Sequence, residues 1–146
     1  MIHYLDNSAT TPLCDEAIKR MYDCMNGEFG NPSSLHLLGI KAEIRLQKCR
    51  EEIASRLYCD KGEIYFTSCG SESNNQAIFG LAKLRARRSK RIITTDSEHP
   101  SVAEPIKALE KEGFTVTYLD VHENGIVVPA ELEAAIREDT GLVTVM

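Results

Sequence analysis

Glu63-Ile64-Tyr65-Phe66-Thr67-Ser68-Cys69-Gly70-Ser71-Glu72-Ser73-Asn74-Asn75 is the stretch whose reading decides the fold. An aromatic, β-branched run, of the kind that suits a pleated surface, gives way to a small, hydroxyl-rich turn. The turn opens into the apolar-periodic Ala77-Ile78-Phe79-Gly80-Leu81-Ala82, and a second run, Arg91-Ile92-Ile93-Thr94-Thr95, ends in Asp96-Ser97-Glu98-His99-Pro100. Strand, turn, helix and strand in that order predict a βαβ unit. A turn that opens a helix offers unpaired N–H groups and the positive end of the helix dipole, which suits a phosphate. The N–H groups of Gly70 to Ser73 and the Ser71 hydroxyl are the candidate donors. The competing reading is ordinary capping, because Ser73-x-x-Gln76 fits a capping box. His99 stands just past the second strand, at the edge where open α/β sheets bind ligands. Taken alone, a histidine so placed is more often a structural, solvent-exposed helix-start residue.

Outward from this unit the alternation continues. Helices are predicted over 15–25, about 34–57, 72–88, 101–112 and 129–138, with strands over 63–67, 91–95, 114–119 and 142–146. The long second helix places Leu46, Cys49, Ile53, Ala54 and Leu57 on one face. Pro100 and Pro129 stand at helix starts, where proline is best tolerated. The pattern predicts an α/β fold with a mostly parallel sheet and flanking helices, and runs such as Ile92-Ile93 suggest strands buried on both faces. An N-terminal helical segment over 1–60 and an α/β portion over 61–146 are the expected domains.

Composition narrows the function. The chain has 146 residues, 42% hydrophobic and 27% charged, within the range of globular proteins. A net charge of −5 argues against general nucleic-acid binding. No apolar run approaches the ~20 residues that span a bilayer, and no signal-peptide core is present, so no membrane and a cytoplasmic location are expected. The cysteines Cys14, Cys24, Cys49, Cys59 and Cys69 form no CxxC pair and no zinc spacing. Reduced thiols acting mostly as small core residues are expected. Cys69, in the turn, is the exception: a helix start would lower its pKa, and the competing, favoured reading is a small residue tolerated in the turn. Lys83, Arg85, Arg87, Arg88, Lys90 and Arg91 read as a solvated basic face.

Several motifs together carry a resemblance. Tyr4-Leu5-Asp6-Asn7-Ser8-Ala9-Thr10-Thr11-Pro12 and Gly30-Asn31-Pro32-Ser33-Ser34-Leu35-His36 resemble the N-terminal signatures of cysteine desulfurases, pyridoxal-phosphate enzymes of the class V aminotransferase group. Phe66–Asn75 and Thr95–His99 resemble that group's phosphate turn and ring-stacking histidine. Glu112–Leu119 and Asn124-Gly125-Ile126 continue the likeness in order. The resemblance implies a partial large domain of a fold-type I enzyme, truncated at its C-terminal side. It implies pyridoxal 5'-phosphate held by Gly70, Ser71, Glu72 and His99, with His99 also catalytic. Ala9, Thr10 and Asn31 would lie on the substrate side, His36 in the loop near the active-site mouth, and His3 and His122 have no role.

The implied reaction removes sulfur from L-cysteine, giving alanine and an enzyme persulfide for sulfur-acceptor proteins in iron–sulfur cluster or thio-modification pathways. A homodimer is implied too. In the family the cofactor's lysine follows a histidine. None of the eight lysines here does, so the chain is expected to be the front part of the enzyme and inactive alone. Another class V member, a selenocysteine lyase or an aminotransferase, and a non-catalytic module of the same fold are the alternatives.

Overall fold

The computed structural model describes residues 3–123 and 125–146. The chain divides into two compact units, one up to Tyr65 and one over Phe66–Met146.

The N-terminal unit holds helices α1 (Asp15–Gly27) and α2 (Leu37–Leu57) and a 3-10 turn at Lys61–Glu63. The loop before α2 lies hard against that helix. A Cβ on Gly39 would strike the Ser34 carbonyl and come within 2.7 Å of the Asn31 carbonyl oxygen, so only glycine permits the approach. Asn31 Oδ1 accepts the Ser33 N–H at 2.9 Å, a local Asx turn. His36 caps α2, its Nδ1 accepting from the Gly39 N–H at 3.4 Å. Tyr58 in the left-handed region ends the helix.

The C-terminal unit is a three-stranded parallel sheet with helices between its strands. In chain order these are α3 (Gly70–Arg85), β1 (Arg91–Thr95), α4 (Pro100–Lys111), β2 (Thr115–Leu119), α5 (Pro129–Ala135) and β3 (Thr140–Val143). The strand order is β2-β1-β3, so β1 is central. Its Ile92 and Ile93 are buried to 1% and 0% exposure, as a strand covered on both faces requires. Ile78 and Ala82 of α3, Ile92, Val102, Ile106 and Leu109 of α4, and Phe114 form one apolar cluster. α4 ends where Gly113 takes φ +88, the left-handed turn glycine allows, and the Phe114 N–H returns to the Leu109 carbonyl. Arg91 pairs with Thr140 and Ile92 with Leu142, which leaves Gly141 as a bulge pressed against Ser89.

Four expectations are corrected. The run 63–67 is not a strand: Glu63 closes the 3-10 turn, and residues 64–67 are unassigned backbone that joins no ladder. A strand needs a neighbour to take its hydrogen bonds, and β2, β1 and β3 pair only among themselves. α3 begins at Gly70, so Ser73 lies inside the first turn and cannot be its N-cap; its hydroxyl meets the Thr67 hydroxyl at 2.6 Å instead. The cysteines are not core residues, since Cys14, Cys49 and Cys69 are exposed and Cys24 and Cys59 half-buried. Element ends also move: α2 starts at Leu37, α5 stops at Ala135, and β3 runs over Thr140–Val143. Part of the expected motif at Asn124-Gly125-Ile126 falls on Asn124, outside the described residues.

Candidate functional site

Cys69, in extended conformation at φ −166, precedes α3, and the Ser73 N–H returns to its carbonyl at 3.1 Å. The N–H groups of Gly70, Ser71 and Glu72 therefore precede the first helical bond. Among the described residues they meet no carbonyl, as expected of a helix start. No hydrogen bond involves the exposed Ser71 hydroxyl within the same set, and a Cβ on Gly70 would enter open space. This is a donor-rich, exposed surface that fits a phosphate group.

Two side chains modify it. The Glu72 carboxylate turns back on the turn, accepting the Ser68 hydroxyl at 2.6 Å and the Ser68 N–H at 2.7 Å. Those bonds hold its pKa below the ordinary glutamate range, the hydroxyl first. Glu72 thus offers an anion its N–H, while its side chain braces the loop. The Cys69 thiol pKa is also lowered, first by the Glu72 N–H, then by the Ser68 hydroxyl, with the Glu72 carboxylate opposing. The Ser68 hydroxyl lies 3.8 Å from the thiol, and the Glu72 N–H acts on it from the helix start without forming a capping bond.

His99 is the N-cap of α4, with Pro100 at the first helical position. Its Nδ1 accepts the Ser101 N–H at 3.1 Å and lies 2.8 Å from the Ser101 hydroxyl. That hydroxyl accepts from Asn74 Nδ2 at 2.8 Å, which ties the N-terminal part of α3 to the first turn of α4. Pro105 lacks the N–H that would bond the Ser101 carbonyl four residues back. The carbonyl instead meets Asn75 Nδ2 at a long 3.5 Å, and Asn75 also donates to the Ser71 carbonyl at 2.8 Å. Thr95, at the end of β1, donates to Glu98 at 3.2 Å and so fixes the loop leading to His99.

The structure thus brings Gly70, Ser71, Glu72 and His99 to adjoining helix starts in one unit. Ala9, Thr10 and Asn31 belong to the N-terminal unit; Ala9 and Thr10 form a turn on the Asp6 carbonyl, and Asn31 the Asx turn above. A cavity of about 550 Å³ in that unit, lined by Arg20, Glu28, Leu38, Lys41, Arg45 and Cys49 among others, contains none of these residues. The site is placed by its backbone N–H groups and its imidazole; the cavity's donors are side-chain cations such as Arg20, Lys41 and Arg45, and no histidine lines it. Asn74 and Ser101 were given no role from sequence. The signal was present in His99-Pro100-Ser101, where an N-cap side chain is due to accept from the second helical N–H. Among the described residues no group of three or more His, Cys, Asp or Glu side chains could hold a metal, and no helix is long and apolar enough to cross a membrane.

The Aminotransferase class-V family matches residues 3–146. A cysteine desulfurase IscS of Pseudomonas fluorescens (strain Pf0-1) is 46% identical over 98% of this chain. One from Azotobacter vinelandii is also 46% identical over 98% of the chain. The chain spans 36% of the length of these relatives. Among solved structures, a NifS-like protein superposes with a TM-score of 0.88 at 39% identity, over 96% of this chain and 38% of its own. DndA from Streptomyces lividans gives 0.83 at 37% identity, over 99% and 40%. A structure described as SspA in complex with cysteine gives 0.83 at 36% identity, over 94% and 40%.

Proposed function

Since the chain belongs to the class-V aminotransferase family, we propose that it is the part of a cysteine desulfurase that holds the phosphate of pyridoxal 5'-phosphate and sets His99 beside the cofactor. The observation that carries this reading is the junction of α3 and α4. Free N–H groups and the Ser71 hydroxyl lie at one helix start, and His99 at the other, joined through Asn74 and Ser101. The names of the relatives favour desulfuration over selenocysteine lyase or aminotransferase chemistry.

When bound, pyridoxal phosphate supplies an electron sink for bonds at the amino acid's α-carbon and beyond. The N–H groups of Gly70, Ser71 and Glu72 and the Ser71 hydroxyl bind and orient its phosphate. His99 presents Nε2 for ring contact and proton transfer. Ala9, Thr10 and Asn31 serve the substrate side. L-cysteine is the substrate, alanine the product, and sulfur leaves on an enzyme thiol as a persulfide for acceptor proteins in iron–sulfur cluster or thio-modification pathways. The setting is a cytoplasmic homodimer. The stretch from Met1 to Met146 does not carry out the reaction by itself, because none of its eight lysines stands after a histidine.

Titrating the chain with pyridoxal phosphate, and separately with inorganic phosphate, tests the reading by amide NMR. Both ligands are expected to shift the Gly70, Ser71 and Glu72 resonances. Ser71→Ala should weaken binding about tenfold, the worth of one charge-assisted hydrogen bond. Borohydride reduction should leave no dominant lysine adduct, and light scattering of the same samples should show association beyond the monomer. Unmoved amides at these three positions, or one stoichiometric lysine adduct, would overturn the assignment.

A further inference from the structure

His99 and His36 both cap helices through Nδ1, and only one of them has its acceptor role set from behind. At His36 a single backbone N–H approaches, Gly39 at 3.4 Å. At His99 the Ser101 N–H approaches at 3.1 Å and the Ser101 hydroxyl at 2.8 Å. A backbone N–H can only donate, so Nδ1 must present its lone pair. The hydroxyl, already accepting from Asn74 Nδ2 at 2.8 Å, has its proton left to give. Donation therefore runs one way: from the Asn74 amide to the Ser101 oxygen, and from the Ser101 proton to His99 Nδ1. The ring proton then belongs on Nε2, which has no hydrogen bond among the described residues and sits on an exposed residue.

We propose that Asn74 and Ser101 are positioning residues for His99, a relay of donors crossing from α3 to α4 that locks the imidazole in its Nε2–H form and aims that N–H away from the helix junction. Neither residue touches the ligand in this scheme. They act by reinforcing the acceptor role that the Ser101 N–H gives Nδ1, and by fixing the ring plane against the first turn of α4. The link spans 27 residues of sequence, so one contact sets both the ring and the relation of the two helix starts. The meaning for chemistry, a neutral imidazole offering a proton at Nε2 to a bound cofactor or substrate, rests on the pyridoxal-phosphate reading. The tautomer itself does not.

The decisive variant is Asn74→Asp. It is close in shape, but its carboxylate can only accept. The Ser101 hydroxyl would then donate to it and turn its lone pair toward Nδ1, leaving the Ser101 N–H as the one group that still holds Nδ1 as an acceptor. Long-range proton–nitrogen NMR of the side chains reads the tautomer directly, well above the ordinary histidine pKa of about 6.5. His36 in the same spectrum serves as the internal reference. In the parent chain His99 is expected to be overwhelmingly Nε2–H. In Asn74→Asp the ratio of Nε2–H to Nδ1–H should fall about tenfold or more.

Ser101→Ala should lower the ratio by a smaller factor, since the backbone N–H remains, and Ser101→Thr should restore it. This pair decides the matter if Asn74→Asp fails to fold. Parent-like tautomer ratios in both Asn74→Asp and Ser101→Ala would overturn the relay, leaving the backbone as the sole determinant. A ratio lowered by these variants in a chain that shows no phosphate-dependent shift at Gly70–Glu72 would uphold the positioning role and defeat the cofactor reading.

Discussion

In the C-terminal unit a 12-residue helix, α4, buries Val102, Pro105, Ile106 and Leu109. In the N-terminal unit a helix of 21 residues, α2, buries only Gly39 and Ala54, and α1 buries none. Both units carry amphipathic sequence, so periodicity alone does not separate them. The difference is what each apolar face meets. α4 lies on β2 and α3, where Ile78, Ala82, Ile92 and Phe114 close around it. Ile53 and Leu57 of α2 remain 38% and 63% exposed. An apolar stripe states a requirement for cover; cover itself is a property of the neighbours.

The widest expected contrast follows directly. Ile106→Ala should cost about 2–5 kcal/mol of unfolding free energy, since it opens a cavity in a closed cluster. Leu57→Ala should stay within about 0.5 kcal/mol, as an exposed substitution. Urea unfolding of the two variants measures both. Comparable losses would break the contrast, and would mean that Leu57 is covered in solution.

The next effect narrows the difference between the units at one point. In the N-terminal unit a close contact is one of backbone with backbone, at Gly39. Gly39→Ala would drive a Cβ into the Ser34 carbonyl and against Asn31. Backbone cannot rotate away as a side chain can, so a loss of about 1–3 kcal/mol is expected. Amide exchange in residues 30–39 should rise with it. An unchanged exchange pattern would show the loop to be looser than this packing requires.

The same contrast explains what could be read from sequence. β1, the helix starts at Pro100 and Pro129, and the placing of His99 beyond β1 were legible because each depends on local pattern: a β-branched run, a proline at the first helical position, a polar turn. The run 63–67 has equal strand character, yet pairing depends on a neighbour that local sequence does not disclose. The start of α3 at Gly70 was missed because Ser73 offered a better N-cap by residue type than Cys69. The exposed cysteines were misjudged for the reason that α2 was, their cover being assumed from composition. The role of Asn74 was out of reach, since its partner Ser101 lies 27 residues on. The roles proposed for Gly70, Ser71, Glu72 and His99 come from motif resemblance, and on spacing alone the capping reading is the favoured one.

The smallest effect concerns how the two units begin their helices. α2 opens on a histidine nitrogen and a rigid glycine contact, neither involving a carboxylate. α3 opens on a loop braced by the Glu72 carboxylate through the Ser68 N–H and hydroxyl. These bonds lower the Glu72 pKa in the folded chain. The brace is therefore fully present above the unfolded-state glutamate value. It is lost as pH falls through the depressed folded value, because a protonated carboxyl accepts these donors weakly. The Ser68 amide resonance should thus move in a single acid step that lies below the ordinary glutamate range. In Glu72→Gln that step should vanish while the Gly39 amide at the start of α2 keeps its parent behaviour. The group is fully solvent-exposed, so the change should appear in local exchange at residues 68–72 and hardly at all in global unfolding. An acid step in Ser68 that persists in Glu72→Gln would assign the brace to another carboxylate and remove this distinction between the two helix starts.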